Sequence, residues 1–110
     1  MRVYVPLTFA RLAEFNTLGS VPADVDKFVA EDESEEAEYA ALMTAADASA
    51  ELSAGTERRV VLAADVVELA GGVPKQTWAA VLVDTDDHAD AGDALAWYAT
   101  QEISELLAGR

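Results

Sequence analysis

The sequence predicts an α+β domain. It reads as a two-layer sandwich with a four- to five-stranded mixed sheet and helices packed on it, a ferredoxin-like variant. Three observations carry that prediction. Short β-branched and aromatic runs alternate with segments of helical periodicity. Two of the runs, Arg59 to Val66 and Thr77 to Val83, are apolar almost throughout, as strands covered on both faces are. One long segment, Asp32 to Gly55, carries an alanine-rich helical pattern. At 110 residues the chain fits one domain spanning residues 1–110, large enough for a core without metal or disulfide staples.

Taken in order, Arg2-Val3-Tyr4-Val5 is a strand that Pro6 should end. Thr8 caps a helix running to Leu18, with Phe9, Leu12 and Ala13 on one face, and Gly19 stops it. Ser20-Val21-Pro22 reads as a turn, and Lys27-Phe28-Val29-Ala30 as a short strand. The long helix starts at Asp32, with Glu35 three residues on as in a capping box. Tyr39, Leu42, Met43, Ala46 and Ala50 recur at helical spacing and form its expected core stripe. After Arg59–Val66, Gly71, Gly72 and Pro74 mark a loop; Thr77–Val83 returns as a strand and could pair with the preceding one as an antiparallel hairpin. The stretch Ala89 to Asp93 is too short and Gly-broken for a helix. Leu95 to Tyr98 is a last strand, and Thr100 caps a final helix carrying Ile103, Leu106 and Leu107.

Charge narrows the function classes. With 21 acidic and 7 basic residues the formal net charge is −14. Direct phosphate contact to nucleic acid, or to an anionic membrane surface, needs a basic patch that this balance argues against. No cysteine is present, so disulfides, thiolate metal sites and cysteine nucleophiles are excluded, and one histidine excludes a site built on two imidazoles. No apolar run reaches the ~18–20 residues of a membrane span, and Pro6 and Arg11 interrupt the apolar N-terminal stretch, so no signal peptide is expected. The expected location is the cytoplasm.

Four segments occur together in a telling order: Met1 to Pro6, Glu38 to Leu42, Arg59 to Val66, and Trp97 to Glu102. As a set they resemble a family of small uncharacterised actinobacterial proteins, a domain of unknown function. Typical members are longer, with an extra acidic helical segment between the stretches matching Val81–Asp84 and Leu95–Trp97. The resemblance implies kinship over most of the chain and no activity.

Two constellations are candidates for chemistry. In the acidic run after the strand, Asp84, Asp86, His88 and Asp90 offer ligands at alternate positions, as a hard divalent cation on a loop would need. The EF-hand pattern fails, since its sixth position counted from Asp84 is Ala89 and its twelfth is Leu95. A solvated acidic turn accounts for the same residues more simply. The second constellation would gather Tyr4, Tyr98, Gln101 and Glu102 at one end of the sheet, where a strand runs into a helix N-terminus and ligands often bind. Against it, Trp97 and Tyr98 must point to opposite faces, and one of them is expected to fill the core.

No catalytic set assembles elsewhere. Glu33, Glu35, Glu36 and Glu38 lie in a helix's first turns and do not face one another across a substrate. His88 lies among four aspartates but has no nucleophile elbow to serve, and Gly71-Gly72 lacks phosphate-cradle spacing. Arg58 and Arg59, among so many acids, are better explained by an internal salt bridge than by an anion site. No cofactor is implied. The sequence therefore points to a non-enzymatic interaction or regulatory module whose partner is a basic protein or a second copy of the chain. A small-molecule or catalytic site near Trp97–Glu102 is the alternative.

Overall fold

A computed structural model describes residues 1–86, 90 and 92–109. Seven strands and three helices follow in the order β1 (Arg2–Leu7), α1 (Phe9–Leu18), β2 (Ser20–Val21), β3 (Phe28–Val29), α2 (Glu35–Leu52), β4 (Val60–Asp65), β5 (Val73–Pro74), β6 (Trp78–Val83), β7 (Ala96–Tyr98) and α3 (Ile103–Ala108). Five strands form the main sheet in the order β3-β1-β4-β6-β7, and every neighbouring pair in it is antiparallel. The mixed sheet expected from the helical crossovers is thus corrected to a purely antiparallel one. The crossover is real all the same. β3 and β4 both run opposite to β1, which lies between them, and α2 joins the two as a split β-α-β unit. β4, β6 and β7 then follow as a meander, so the second split unit of a ferredoxin-like sheet does not form.

The two-layer expectation is also corrected, because helices cover both faces. Strand alternation sends Val3, Val5, Leu7, Leu62, Val81 and Val83 to one face, where Phe9, Leu12 and Phe15 of α1 and Ile103 of α3 bury them. It sends Tyr4, Val61 and Ala63 to the other, where Ala41, Ala45 and Ala46 of α2 meet them. This double burial explains why β4 reads as an unbroken apolar run.

Local chemistry sets the element ends. Thr8 Oγ1 accepts from Arg11 N at 3.2 Å, and Gly19 closes α1 at φ +84°, a conformation that costs glycine nothing. The residues read as a turn and a loop pair instead as a small second sheet, with Ser20 opposite Pro74 and Val21 opposite Val73. Gly72 permits that approach: a Cβ there would sit 2.8 Å from the Val21 carbonyl oxygen. β1 continues through Pro6 because β3 reaches only Val3 and Tyr4, leaving one partner strand where the N–H is missing.

α2 starts three residues later than its acidic lead suggests. Ser34 is the cap, its Oγ accepting from Ala37 N, while Asp32 Oδ1, two residues earlier, accepts from Ser34 N at 2.8 Å. The buried stripe is Ala41, Ala45, Ala46 and Ser49, rotated from the expected one, and Tyr39 is left 56% exposed. Small side chains win the sheet-facing positions because they let the helix axis come close. The larger Leu42 and Met43 fall on the flank.

Ser49 anchors this approach. Its hydroxyl donates to the Leu7 carbonyl at 2.6 Å and accepts from Val60 N at 2.8 Å, linking the helix to the paired ends of β1 and β4. Replacing Ser49 by Ala leaves a buried carbonyl and a buried N–H without that partner. The expected loss is about 1–3 kcal/mol in urea unfolding, with the m-value unchanged.

Candidate functional site

The acidic run is organised by one ion pair. Arg59 stands just before β4 and Asp84 just after β6, and both are buried, at 4% and 3% exposure. Arg59 Nε donates to Asp84 Oδ2 at 2.8 Å and Nη2 to Oδ1 at 2.7 Å. The backbones join in, with Arg59 N to Asp84 Oδ2 at 2.9 Å and Asp84 N to the Arg59 carbonyl at 3.1 Å. Nη2 also donates to the Asp93 carbonyl at 2.9 Å and so fixes the far end of the acidic loop. The hydrogen bonds to Asp84 raise the guanidinium pKa further, against the opposing effect of burial.

This places the residues of the cation reading. Both oxygens of Asp84 point at Arg59, not into the loop. Asp86 and Asp90 are exposed, Asp90 N bonding to Asp93 Oδ2 at 2.9 Å. His88 lies outside the described residues. Among the described residues no three acidic or imidazole groups gather around a common point.

The four residues of the ligand reading are not brought together. Tyr4 lies in the α2-side core, and Tyr98 packs on the opposite core beneath α3. β4 and β6 also stand between their strands, a separation of roughly 14 Å at the usual interstrand spacing. Gln101 and Glu102 are exposed in the single 3₁₀ turn Thr100–Glu102 that leads into α3. Thr100 does not cap that helix with its side chain.

A cleft of about 420 Å³ opens at the far end of β1, lined by Arg2, Glu31, Asp32, Glu33, Glu38 and Asp65 among others. Its one guanidinium is already held, Arg2 Nε to Asp65 Oδ1 at 2.8 Å and Nη2 to Oδ2 at 3.1 Å, so an anionic ligand would have to displace a carboxylate. Burial and then the Glu38 carboxylate raise the Tyr4 phenol above its ordinary value.

The feature that stands out is Trp97. Its strand neighbour across the ladder is Leu82, and Leu82 is opposite Val61, so all three point to the α2 face. α2, however, lies over β1, β3 and β4. Among the described residues, no helix packs closely on the part of that face formed by β6 and β7. Leu82 and Leu95 are half-buried against the edge of the α2-side core, and Trp97 is 63% exposed. Trp78 shows the contrast: a bulge at Ala63/Ala64 turns it into the other core, where its indole N–H reaches the Val73 carbonyl at 3.0 Å. Strand alternation predicts that one of Trp97 and Tyr98 is buried. It does not say that the other lies where the helix stops.

Comparison with protein families decides the kinship. The model of a family of unknown function, DUF6912, matches residues 1–107. The chain belongs to that family. Neither the curated proteins nor the solved structures gave a match to it. Membership of DUF6912 brings no activity with it, and the geometry of the described residues has to carry any functional reading.

Two measurements check the electrostatic description. Asp84→Ala leaves a buried guanidinium without its carboxylate and should cost about 3–5 kcal/mol in urea unfolding, whereas Arg59→Met with Asp84→Leu should recover part of that loss. Because Tyr4 has a raised folded-state pKa, its contribution is intact below the ordinary phenol value of about 10 and is lost as pH rises through the folded value. Stability of the wild type should therefore fall as pH rises above about 10 more steeply than that of Tyr4→Phe.

Proposed function

We propose that this protein is a non-enzymatic interaction module, and that it meets a basic partner protein through the surface of Leu82, Leu95 and Trp97. One observation carries the reading: a tryptophan 63% exposed beside half-buried leucines, on sheet surface that no helix among the described residues covers closely. Tryptophan in such a position offers a large rigid contact area at small entropic cost, and it dominates binding energy where it is found at interfaces. Exposed carboxylates of Asp90, Asp93, Glu102 and Glu105 flank β7 in sequence, and the chain carries a net charge of −14. A basic partner is therefore attracted, and its encounter rate should fall as salt rises.

Capture from a lysate with immobilised wild type and Trp97→Ser tests this. The expected result is a stoichiometric basic protein that the wild type retains in low salt, and that both high salt and Trp97→Ser release. Equal retention by Trp97→Ser contradicts the reading. A tightly held metabolite in place of a protein also contradicts it, and moves the site toward Tyr98, Gln101 and Glu102.

A further inference from the structure

The backbone of β7 suggests how a partner would attach to the surface proposed above, and the inference rests on that reading. Asp84 N donates to the Arg59 carbonyl, so Asp84 turns its backbone groups toward β4. In an antiparallel ladder those directions alternate residue by residue, so Leu82 also faces β4 while Val81 and Val83 face β7. Val60 agrees with this alternation, because its N–H points the other way, to Ser49. Val81 is opposite Tyr98 and Val83 opposite Ala96, so Ala96 and Tyr98 direct their backbone groups to β6. The N–H and C=O of Trp97 then point outward from the sheet. β7 is its last strand, and no described strand pairs with that edge.

Trp97 thus presents an indole on the open face and a backbone donor–acceptor pair at the open edge. We infer that β7 accepts an extended, basic segment of a partner protein as a sixth strand centred on Trp97. Strand addition at an exposed edge gains affinity from main-chain hydrogen bonds and specificity from alternate side chains. Alternate apolar residues of the added segment would continue the Leu82–Trp97 row. Its Lys and Arg side chains, at the intervening positions, would turn to the other face, drawn by the carboxylates of Asp93 and Glu102 that flank the strand in sequence. A second copy of this chain is disfavoured at the same edge, since each copy brings 14 negative charges in excess.

The probe is a capped octapeptide alternating Lys or Arg with Val, titrated into the full chain by calorimetry, with amide exchange followed by NMR in parallel. Binding should weaken about tenfold or more in Trp97→Ala, and again on going from about 50 to about 500 mM NaCl. The amide of Trp97 should gain protection while those of Ala96 and Tyr98, already paired, change little. A peptide N-methylated at alternate amides should lose about tenfold in affinity. If the peptide binds in a Trp97-dependent way but the Trp97 amide exchanges as before and N-methylation has no effect, strand addition is wrong and docking on the face stands. If the basic peptide gives no saturable heat, or an acidic counterpart binds as well, the proposed function fails with it. Sedimentation showing a dimer through this edge overturns the choice of occupant.

Discussion

An α-helix is about 10 Å across, and strands lie about 4.8 Å apart, so one helix covers two or three strands of a sheet. That mismatch governs this molecule. Its sheet has five strands, and the two faces are provided for unequally. One face receives α1 and α3, with Val21 and Val73 of the small second sheet adding to the same core. The other receives, among the described helices, α2, centred over β1, β3 and β4. What α2 leaves open is formed by β6 and β7, and that is where Leu82 and Trp97 stand. The apolar surface at this spot thus follows from the architecture and not from a single misplaced residue.

Two polar contacts hold the arrangement in register. Ser49 ties α2 to the paired ends of β1 and β4, which fixes how near the helix comes to the sheet. Arg59 and Asp84 tie β4 to β6 at the same end of the sheet, and Arg59 reaches on to the Asp93 carbonyl just before β7. A buried pair of this kind adds little net stability over an apolar pair, because desolvation offsets much of the attraction. Its effect is geometric. It holds the acidic loop by both ends, so β7 returns beside β6 with Trp97 in a set position. The structural demand on Asp84 also separates it from Asp86 and Asp90, which are exposed.

Much of the fold was legible in the sequence. Thr8 and Gly19 bounded α1, and the unbroken apolar run of β4 announced cover on both faces. The alternation of Trp97 and Tyr98 turned one of them toward the core, where Tyr98 packs half-buried. What was not legible depends on distances that periodicity does not encode. The face of α2 was misjudged because hydrophobic weight favours Tyr39, Leu42 and Met43, whereas close approach to a sheet favours Ala41, Ala45 and Ser49. The pairing of Ser20–Val21 with Val73–Pro74 was hidden by turn-forming residues, Gly72 among them, that serve a tight approach there. Of the candidate site residues, Tyr4 and Tyr98 were each credible beside a strand end, but strand order and face are tertiary facts, and they set the two apart. The internal salt bridge of Arg59 could be anticipated from composition; that its partner is Asp84 could not.

On the proposed reading, Trp97 is exposed for contact and contributes little to the fold. Urea unfolding of Trp97→Ser tests this directly, without knowledge of the partner. A change within about 0.5 kcal/mol of wild type, as for a surface position free of special structural roles, is the predicted result. A loss of about 2 kcal/mol or more, the scale of a buried aromatic truncation, would make Trp97 part of the core and remove the basis for a docking surface at β7.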